Sequence, residues 1–386
     1  MQSISVRVPA REIKYEIRIG AGLIGENGEA GRKVMGRSAR RAALISNRRV
    51  FDLFGERVLR ALRSSGVDVN VWLMPDGEQH KSMRSLDQAL AFFSKSGLER
   101  NDVVIALGGG VVGDLAGFAA ATYLRGVAFI QVPTTLLAQI DASVGGKTGI
   151  NTGAGKNVVG AFHQPRLVLI DTDTLQTLPQ RELTAGWCEA VKQGAVGDRK
   201  LFDRTARLLG RCGTDLSLCP DSQKSQTEVC ATIAAHCRFK AAIVAGDERE
   251  STERTDRRSR KILNFGHTTA HALESVTNYR RFRHGEAVGY GIIVAAEISK
   301  SLGMLKPGEL ESLRKAVRAC GQLPRADDIE IDELIKAMRG DKKSVKGHIK
   351  WVLLEEIGKA RIVDGAEIRA RVLRRALHDG LQILGD

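Results

Sequence analysis

The stretch ALGGGVVGDLAGFAAATYLRG (106–126) decides how the rest of the chain is read. A short apolar run enters Gly108, Gly109 and Gly110; Gly113 and Asp114 follow, and then a helical segment rich in small residues. Glycines at a strand-to-helix turn let the backbone come close to a pyrophosphate, and the helix N-terminus favours negative charge. The spacing is not GxGxxG, so a tight strand–helix turn with close packing competes with the nucleotide reading at this point.

On either side of the turn lie short β-rich runs bounded by polar or glycine residues: AALIS (42–46), VNVWLM (69–74), DVVIALG (102–108), AFIQVP (128–133) and LVLID (167–171). Amphipathic stretches such as FGERVLRALRSSG and SLDQALAFFSKSG separate them, an alternation that predicts a mostly parallel sheet flanked by helices. After LPQRELTAG long helical patterns dominate, with KWVLLEEIGKARIV (350–363) the main exception. A boundary near residue 180 follows, with an α/β domain over 1–180 and a mainly helical domain over 181–386. DERESTERTDRRSR (247–260) has no apolar face and reads as an exposed loop; no internal repeat is present.

With 386 residues, 43% hydrophobic and 27% charged, the chain has the composition of a soluble two-domain protein. The N-terminal MQSISVRVPAREIKYEIRIG alternates as an opening strand does and lacks the apolar core of a signal peptide. No apolar run approaches the ~20 residues of a membrane span. A cytoplasmic location with no membrane partner is the expectation. Six cysteines without a CxxC pair read as reduced thiols, most of them structural. Cys188 stands beside a carboxylate, which leaves its charge state open. The net charge of +14 fits either a basic surface or anionic partners. The arginines are spread over helical stretches and not gathered with aromatics, so no nucleic-acid partner is expected.

Two further regions carry chemistry. QVPTTLLAQIDASVGGKTGINTGAGKNVVGAFHQP (131–165) sets Asp141, Lys147, Lys156 and Asn157 among glycines, a pattern suited to a phosphate or carboxylate ligand. In the helical half, KILNFGHTTAHALE (261–274) puts His267 and His271 four apart, on one helix face. His284 follows in RFRHGEAVGYGI (281–292), and GWCEAVKQGAV (186–196) puts Glu189 and Lys192 one turn apart. Two histidines and a carboxylate are a common set for a catalytic zinc with an open position. The HxxxH pair alone is not specific; a third histidine, a glutamate and the lysines make it so.

Taken together, GGGVVGDLAGFAAATYLRG, VPTTLLAQIDASVGGKTGIN, GKNVVGAFHQP, TLPQRELTAG, LNFGHTTAH, HGEAVGYG and DKKSVKG (341–347) resemble the 3-dehydroquinate synthases, in sequence and in order, over roughly residues 40 to 360. The resemblance implies a Rossmann-like NAD-binding half and a helical metal-binding half with the active site between them. It implies Glu189, His267 and His284 as ligands of Zn2+ or Co2+. Nucleotide contacts would come from Glu78, Lys81, Gly109, Gly110, Asp114, Thr134, Thr135, Asp141, Lys147, Lys156, Thr177, Leu178 and Glu182. Substrate contacts would come from Asp141, Lys147, Lys156, Asn157, Lys192, Lys240, Arg260, Asn264, His271 and a lysine of the DKK triplet, Lys342 in preference to Lys343. Arg125 would cross to a neighbour's phosphate site, which implies a homodimer.

The implied reaction is that of a carbon–oxygen lyase. It turns 3-deoxy-D-arabino-heptulosonate 7-phosphate into 3-dehydroquinate and phosphate by oxidation at C5, β-elimination of phosphate, re-reduction, ring opening and aldol closure, with NAD restored each turnover. Ala270 stands where the family usually has glycine, Gln193 where it commonly has tyrosine, and Cys188 where it usually has alanine. The loop before Arg260 is longer than usual. Valiolone-type and deoxy-inosose-type cyclases share the scaffold, but they tend to change Asn264 or His271, both kept here. A metal-dependent polyol dehydrogenase would leave Lys147, Lys156 and Lys192 unexplained.

Overall fold

The computed structural model describes residues 12–26, 35–36, 39–212, 222–340 and 349–382. Strands β1 (Glu16–Gly20), β2 (Arg41–Asn47), β3 (Asp68–Met74), β4 (Val103–Gly108), β5 (Ala128–Pro133) and β8 (Leu167–Asp171) form one sheet in the order β1-β8-β5-β4-β2-β3. Every pairing in it is parallel. β4 and β8 are buried along their whole length and β2 and β5 nearly so, which is why they read as unbroken apolar runs: helices cover both faces. Those helices include α1 (Glu56–Ser64), α2 (Met83–Lys95) and α3 (Gly110–Thr122). From β2 the chain moves outward to β3, then returns to β4 on the other side of β2. The order reverses there, and the crevice at such a reversal is where open α/β sheets take ligands. The glycine turn at 108–110 lies at that point.

Between β5 and β8 the polar segment folds as an antiparallel hairpin, β6 (Lys147–Thr152) with β7 (Gly155–Phe162). The sequence predicts a ligand-lining segment here and names no strand in it. Most of β7 is exposed or half-buried, so it lacks the alternation that marks a strand packed on one side.

The helical part contains α4 (Gln180–Gly197), α5 (Arg199–Cys212), α6 (Ser222–Gly246), α7 (His267–Val276), α8 (His284–Ser301), α9 (Pro307–Ala319), α10 (Ile331–Gly340) and α11 (Ala370–Gln382). The predicted exception at 350–363 is the hairpin β9 (Lys350–Glu356) with β10 (Lys359–Asp364). α4 is buried continuously from Leu183 to Val196, and α8 from Gly285 to Ser299, so these two form the centre of the larger core. Trp187 and Tyr290 lie there; full burial of a large apolar side chain contributes about 1.5–3 kcal/mol. Backbone proximity fixes how the helices cross. A Cβ on Gly285 would sit 1.9 Å from the Ala185 carbonyl oxygen, and one on Gly291 would sit 1.9 Å from that of Gly266. These contacts bring α8 against α4 and the start of α7, the three elements that carry the metal-type residues.

Within α6, Gln226–Gly246 is long and apolar enough, by length and composition, to cross a membrane, a length the sequence reading had not expected. A core helix passes the same test. This one packs against α4, α5 and β1 and carries the buried polar side chains of His236 and Lys240.

Candidate active site

Glu189 lies in the middle of α4, and His267 and His284 are the first residues of α7 and α8. One ligand atom from each comes within 4.8 Å of the others. Glu189 Oε1 is 3.9 Å from His267 Nε2 and 3.4 Å from His284 Nε2. The Nδ1 of His267 is 3.2 Å from the Phe265 carbonyl oxygen, a bond that puts the proton on Nδ1 and leaves the Nε2 lone pair facing the carboxylate. One carboxylate and two imidazoles suit Zn2+ or Co2+, so the donor set fits the expected metal. His271, one turn along α7, has its ring 5.5 Å from His267 and 6.1 Å from His284 between centroids.

A layer of buried charge lies beneath this cluster. Lys192 pairs with Glu189 at 2.5 Å, and both are about 1% exposed. Lys240 reaches Asp141 through its backbone oxygen at 2.6 Å and its carboxylate at 2.8 Å. Burial alone would push the Asp141 carboxyl up, but Lys240 and Lys192 outweigh it and hold the group well below the usual carboxylate range. Glu189 is also lowered, against its burial, chiefly by the Lys192 ammonium. Lys192, between two carboxylates, is raised despite burial, whereas burial wins over Asp141 at Lys240 and lowers it. The site thus keeps its anions and Lys192 charged.

Gln193 explains how Asp141 is oriented. Its Nε2 donates to the Ile140 carbonyl at 3.0 Å and to Asp141 Oδ1 at 3.1 Å. Its Oε1 is then left to accept from His236 Nδ1 at 3.1 Å, and the Thr205 hydroxyl faces His236 Nε2 at 3.0 Å. Burial, aided by Lys192 and Arg204, pushes His236 down to about 3, so it is neutral in the folded chain. The unfolded chain takes up that proton below about pH 6.5, so the stability contributed by neutral His236 is complete above that pH and drains away as pH falls toward about 3. The slope is about 1.4 kcal/mol per pH unit. Urea unfolding at pH 6.5 and 5.0 should show a loss of about 2 kcal/mol from this residue. His236→Gln should lack that increment; an unchanged pH dependence in the variant would remove His236 as its source.

The loop predicted to be exposed is so at Arg249 and from Ser251 to Arg258, with Arg254 half-buried; its ends Asp247, Ser259 and Arg260 are buried. It also delivers a site residue that the sequence reading passed over. Glu250, at a positive φ of 53°, pairs with Lys147 and accepts from Asn264 Nδ2 at 3.0 Å. Glu274 is a second: its buried carboxylate holds Lys156 at 3.0 Å and lies 3.4 Å from His284 Nδ1. Its place in HTTAHALE, three residues after His271 on the same helix face, was the available signal. Arg260 is 2% exposed and donates to the carbonyls of Gly145 and Glu248. Cys188 is fully buried; a hydrogen bond with Cys320 and burial push its thiol well up, so it is neutral. Cys188, Cys230, Cys237 and Cys320 are all free thiols.

Part of the expected nucleotide set, Gly109, Gly110, Thr134 and Thr135, lies at the sheet reversal. Gly109 is the N-cap of α3 and brings no side-chain cap, so the helix start is open to an anion. Gly110 begins the helix, and the buried Thr134 hydroxyl, just past β5, has no hydrogen-bond partner. Thr135 Oγ1 caps the Ala138 amide. Lys81 binds Asp114 and, at 2.6 Å, Asn157. Glu78 and Lys81 line a cleft of about 450 Å³ with Asn151 and Thr152. Open amides, an unpartnered hydroxyl and this cleft fit a dinucleotide. Thr177 and Leu178 lie just before α4, and Glu182 in its first turn pairs with Arg283 at 3.0 Å. Arg125 is exposed on the turn after α3 at a φ of 67°. Lys342 lies outside the described residues.

Known proteins share this fold. 2-Epi-5-epi-valiolone synthase from Streptomyces hygroscopicus subsp. jinggangensis, solved with NAD+ and Zn2+ bound, superposes with a TM-score of 0.83 at 25% identity, covering 97% of this chain and 99% of that one. A 2-deoxy-scyllo-inosose synthase complexed with carbaglucose-6-phosphate, NAD+ and Co2+ shares the fold, with a TM-score of 0.79 at 23% identity over 95% of this chain and 97% of that one. The 3-dehydroquinate synthase of Pelotomaculum thermopropionicum is 40% identical over 95% of this chain and 94% of its own length. That of Gloeobacter violaceus is 42% identical over 87% and 89%. The family models for the 3-dehydroquinate synthase N-terminal and C-terminal regions match residues 71–185 and 186–344. With the two models matched over consecutive stretches of the chain and such relatives along nearly its whole length, the chain belongs to the 3-dehydroquinate synthase family.

Proposed function

We propose that the chain converts 3-deoxy-D-arabino-heptulosonate 7-phosphate to 3-dehydroquinate and phosphate, with NAD+ and a divalent metal as resident cofactors, and that its two domains meet near residue 180. The observation that carries this reading is the convergence of Glu189, His267 and His284 above a layer of buried lysines. When bound, NAD+ supplies a hydride acceptor that is restored each turnover, and Zn2+ or Co2+ supplies a Lewis acid for the reacting oxygen. Glu189, His267 and His284 would hold the metal. Gly109, Gly110 and the open start of α3 would receive the pyrophosphate, with Thr134, Lys81 and Asp114 beside it.

The substrate carries a phosphate and a carboxylate, and the site answers with cations. Lys147 and Asn264 are held by Glu250 and exchange it for substrate oxygens when substrate binds, and Glu250 then becomes an acceptor for a substrate proton. Lys192 and Lys240 stay fixed by Glu189 and Asp141 and set a positive floor. Asn157 and Lys156 reach in from the β6–β7 hairpin, and His271 stands next to the metal ligands, able to move a proton. Asn264 and His271 favour this product over the cyclitols made on the same scaffold. The test offers the pure protein three substrates: the heptulosonate phosphate, a heptulose phosphate without the carboxylate, and a hexose phosphate. Dehydroquinate from the first alone is expected; a cyclitol from either of the others would replace this reading.

The chain works as a homodimer in this proposal, with Arg125 reaching the partner's phosphate site. Support comes from exposed apolar side chains on the same part of the chain: Leu124, next to Arg125, and Val158, Val159 and Phe162 on β7. If each site takes His267 from one chain and Arg125 from the other, refolding an equal mixture of Arg125→Ala and His267→Ala chains restores about a quarter of wild-type activity. No gain over the separate variants would show that Arg125 serves its own chain.

A further inference from the structure

We propose that Glu274 is a positioning residue: it fixes the tautomer and ring direction of His284 and joins that metal ligand to Lys156 on the β6–β7 hairpin. This rests on Glu189, His267 and His284 being the metal ligands. Glu274 lies in the last turns of α7 and is 3% exposed. Its two oxygens have different tasks. Oε2 is 3.4 Å from His284 Nδ1, and Oε1 takes Lys156 Nζ at 3.0 Å. A neutral imidazole, the form that ligates a cation, presents Nε2 as the lone pair when it gives its Nδ1 proton to a carboxylate, and Nε2 of His284 is the atom 3.4 Å from Glu189. The same carboxylate therefore determines which nitrogen of His284 is available to a cation.

The other half of the arrangement is equally built. Lys156 lies over the Tyr279 ring at 4.4 Å from its centroid, and the Tyr279 amide donates to the Glu274 carbonyl at 2.7 Å. Lys156 is thus held between Glu274 and an aromatic face that Glu274's own backbone secures. One buried acid sets both a metal ligand and a cation of the anion-binding hairpin, two groups that are 118 and 10 residues from it in sequence. His271, Glu274 and His284 also come within 4.8 Å of one another and resemble a metal site by themselves. The ammonium of Lys156 on Glu274 argues against it, because a divalent cation there would face a like charge at close range.

Cobalt binding to the full-length protein tests this. Metal-free chain is titrated with Co2+ against a chelator, and the visible absorption of the bound ion is recorded. His267→Ala comes first: if it binds Co2+ as the wild type does, the ligand assignment itself fails and the role of Glu274 fails with it. With that assignment standing, Glu274→Gln should bind Co2+ about 10- to 100-fold more weakly, as a folded protein with a cooperative melt in the metal-free state, and with an altered Co2+ spectrum. Glu274→Asp keeps the charge at shorter reach and should fall between; it also serves if the glutamine variant does not fold. Lys156→Met should leave Co2+ affinity intact, because the His284 contact remains. Wild-type affinity and spectrum in Glu274→Gln would overturn the proposal. So would a second Co2+ equivalent that persists in His267→Ala and vanishes in Glu274→Gln, since that would make Glu274 a ligand.

Discussion

His267→Ala is expected to lower dehydroquinate formation on the order of 10³-fold while leaving the fold intact. The ring stands at the first position of α7, with its orientation set by the Phe265 carbonyl and its Nε2 turned to Glu189. Losing it leaves two of three ligands, and the Lewis acid that supplies several kcal/mol of charge stabilisation is bound poorly or misplaced. The chain should tolerate the change because the side chain is partly exposed, not packed in the core; circular dichroism melts would record a shift of only a few degrees. Added Zn2+ or Co2+ should recover little. Activity within tenfold of wild type would mean that His267 is not a ligand.

The second large effect concerns stability. Lys192→Met keeps the length of the side chain and removes its charge, leaving buried Glu189 and half-buried Asp141 near one another with one cation fewer. Breaking a buried pair in this way costs about 3–5 kcal/mol, because a charge is left without a partner. The metal-free variant should therefore melt several degrees lower. A divalent metal at Glu189 neutralises the same carboxylate and binds only the folded state, so adding it should raise the variant's melting temperature more than the wild type's. Equal melting of the two metal-free proteins would show that the pair is not what holds this layer together.

Much of the molecule was legible from its sequence for definite reasons. The buried strands β2, β4, β5 and β8 are covered on both faces, so they appear as short apolar runs with polar ends. The candidate metal ligands could be recognised by type, but their meeting depends on Gly285 and Gly291, which let helix backbones touch; nothing in the spacing of Glu189, His267 and His284 encodes that contact. The β6–β7 hairpin was hidden because one of its strands faces outward and is broken by glycine and lysine. Glu250 was hidden by conformation: only the positive φ at that residue turns a charged loop inward onto Lys147 and Asn264. His236 and Gln193 looked like ordinary helix residues, and they became interpretable once α4 and α6 were seen to pack with Asp141 between them.

Turnover with less NAD+ than enzyme substrate puts the chemistry to its most direct test. Metal-loaded protein is given the heptulosonate phosphate in large excess over NAD+, and phosphate, dehydroquinate and reduced nicotinamide are followed together. Many equivalents of phosphate and dehydroquinate per NAD+, equal to each other and without net NADH, are the expected result, with chelation of the metal stopping the release of both. One NADH accumulating for each substrate oxidised, with no phosphate released, would contradict it and make the chain a dehydrogenase.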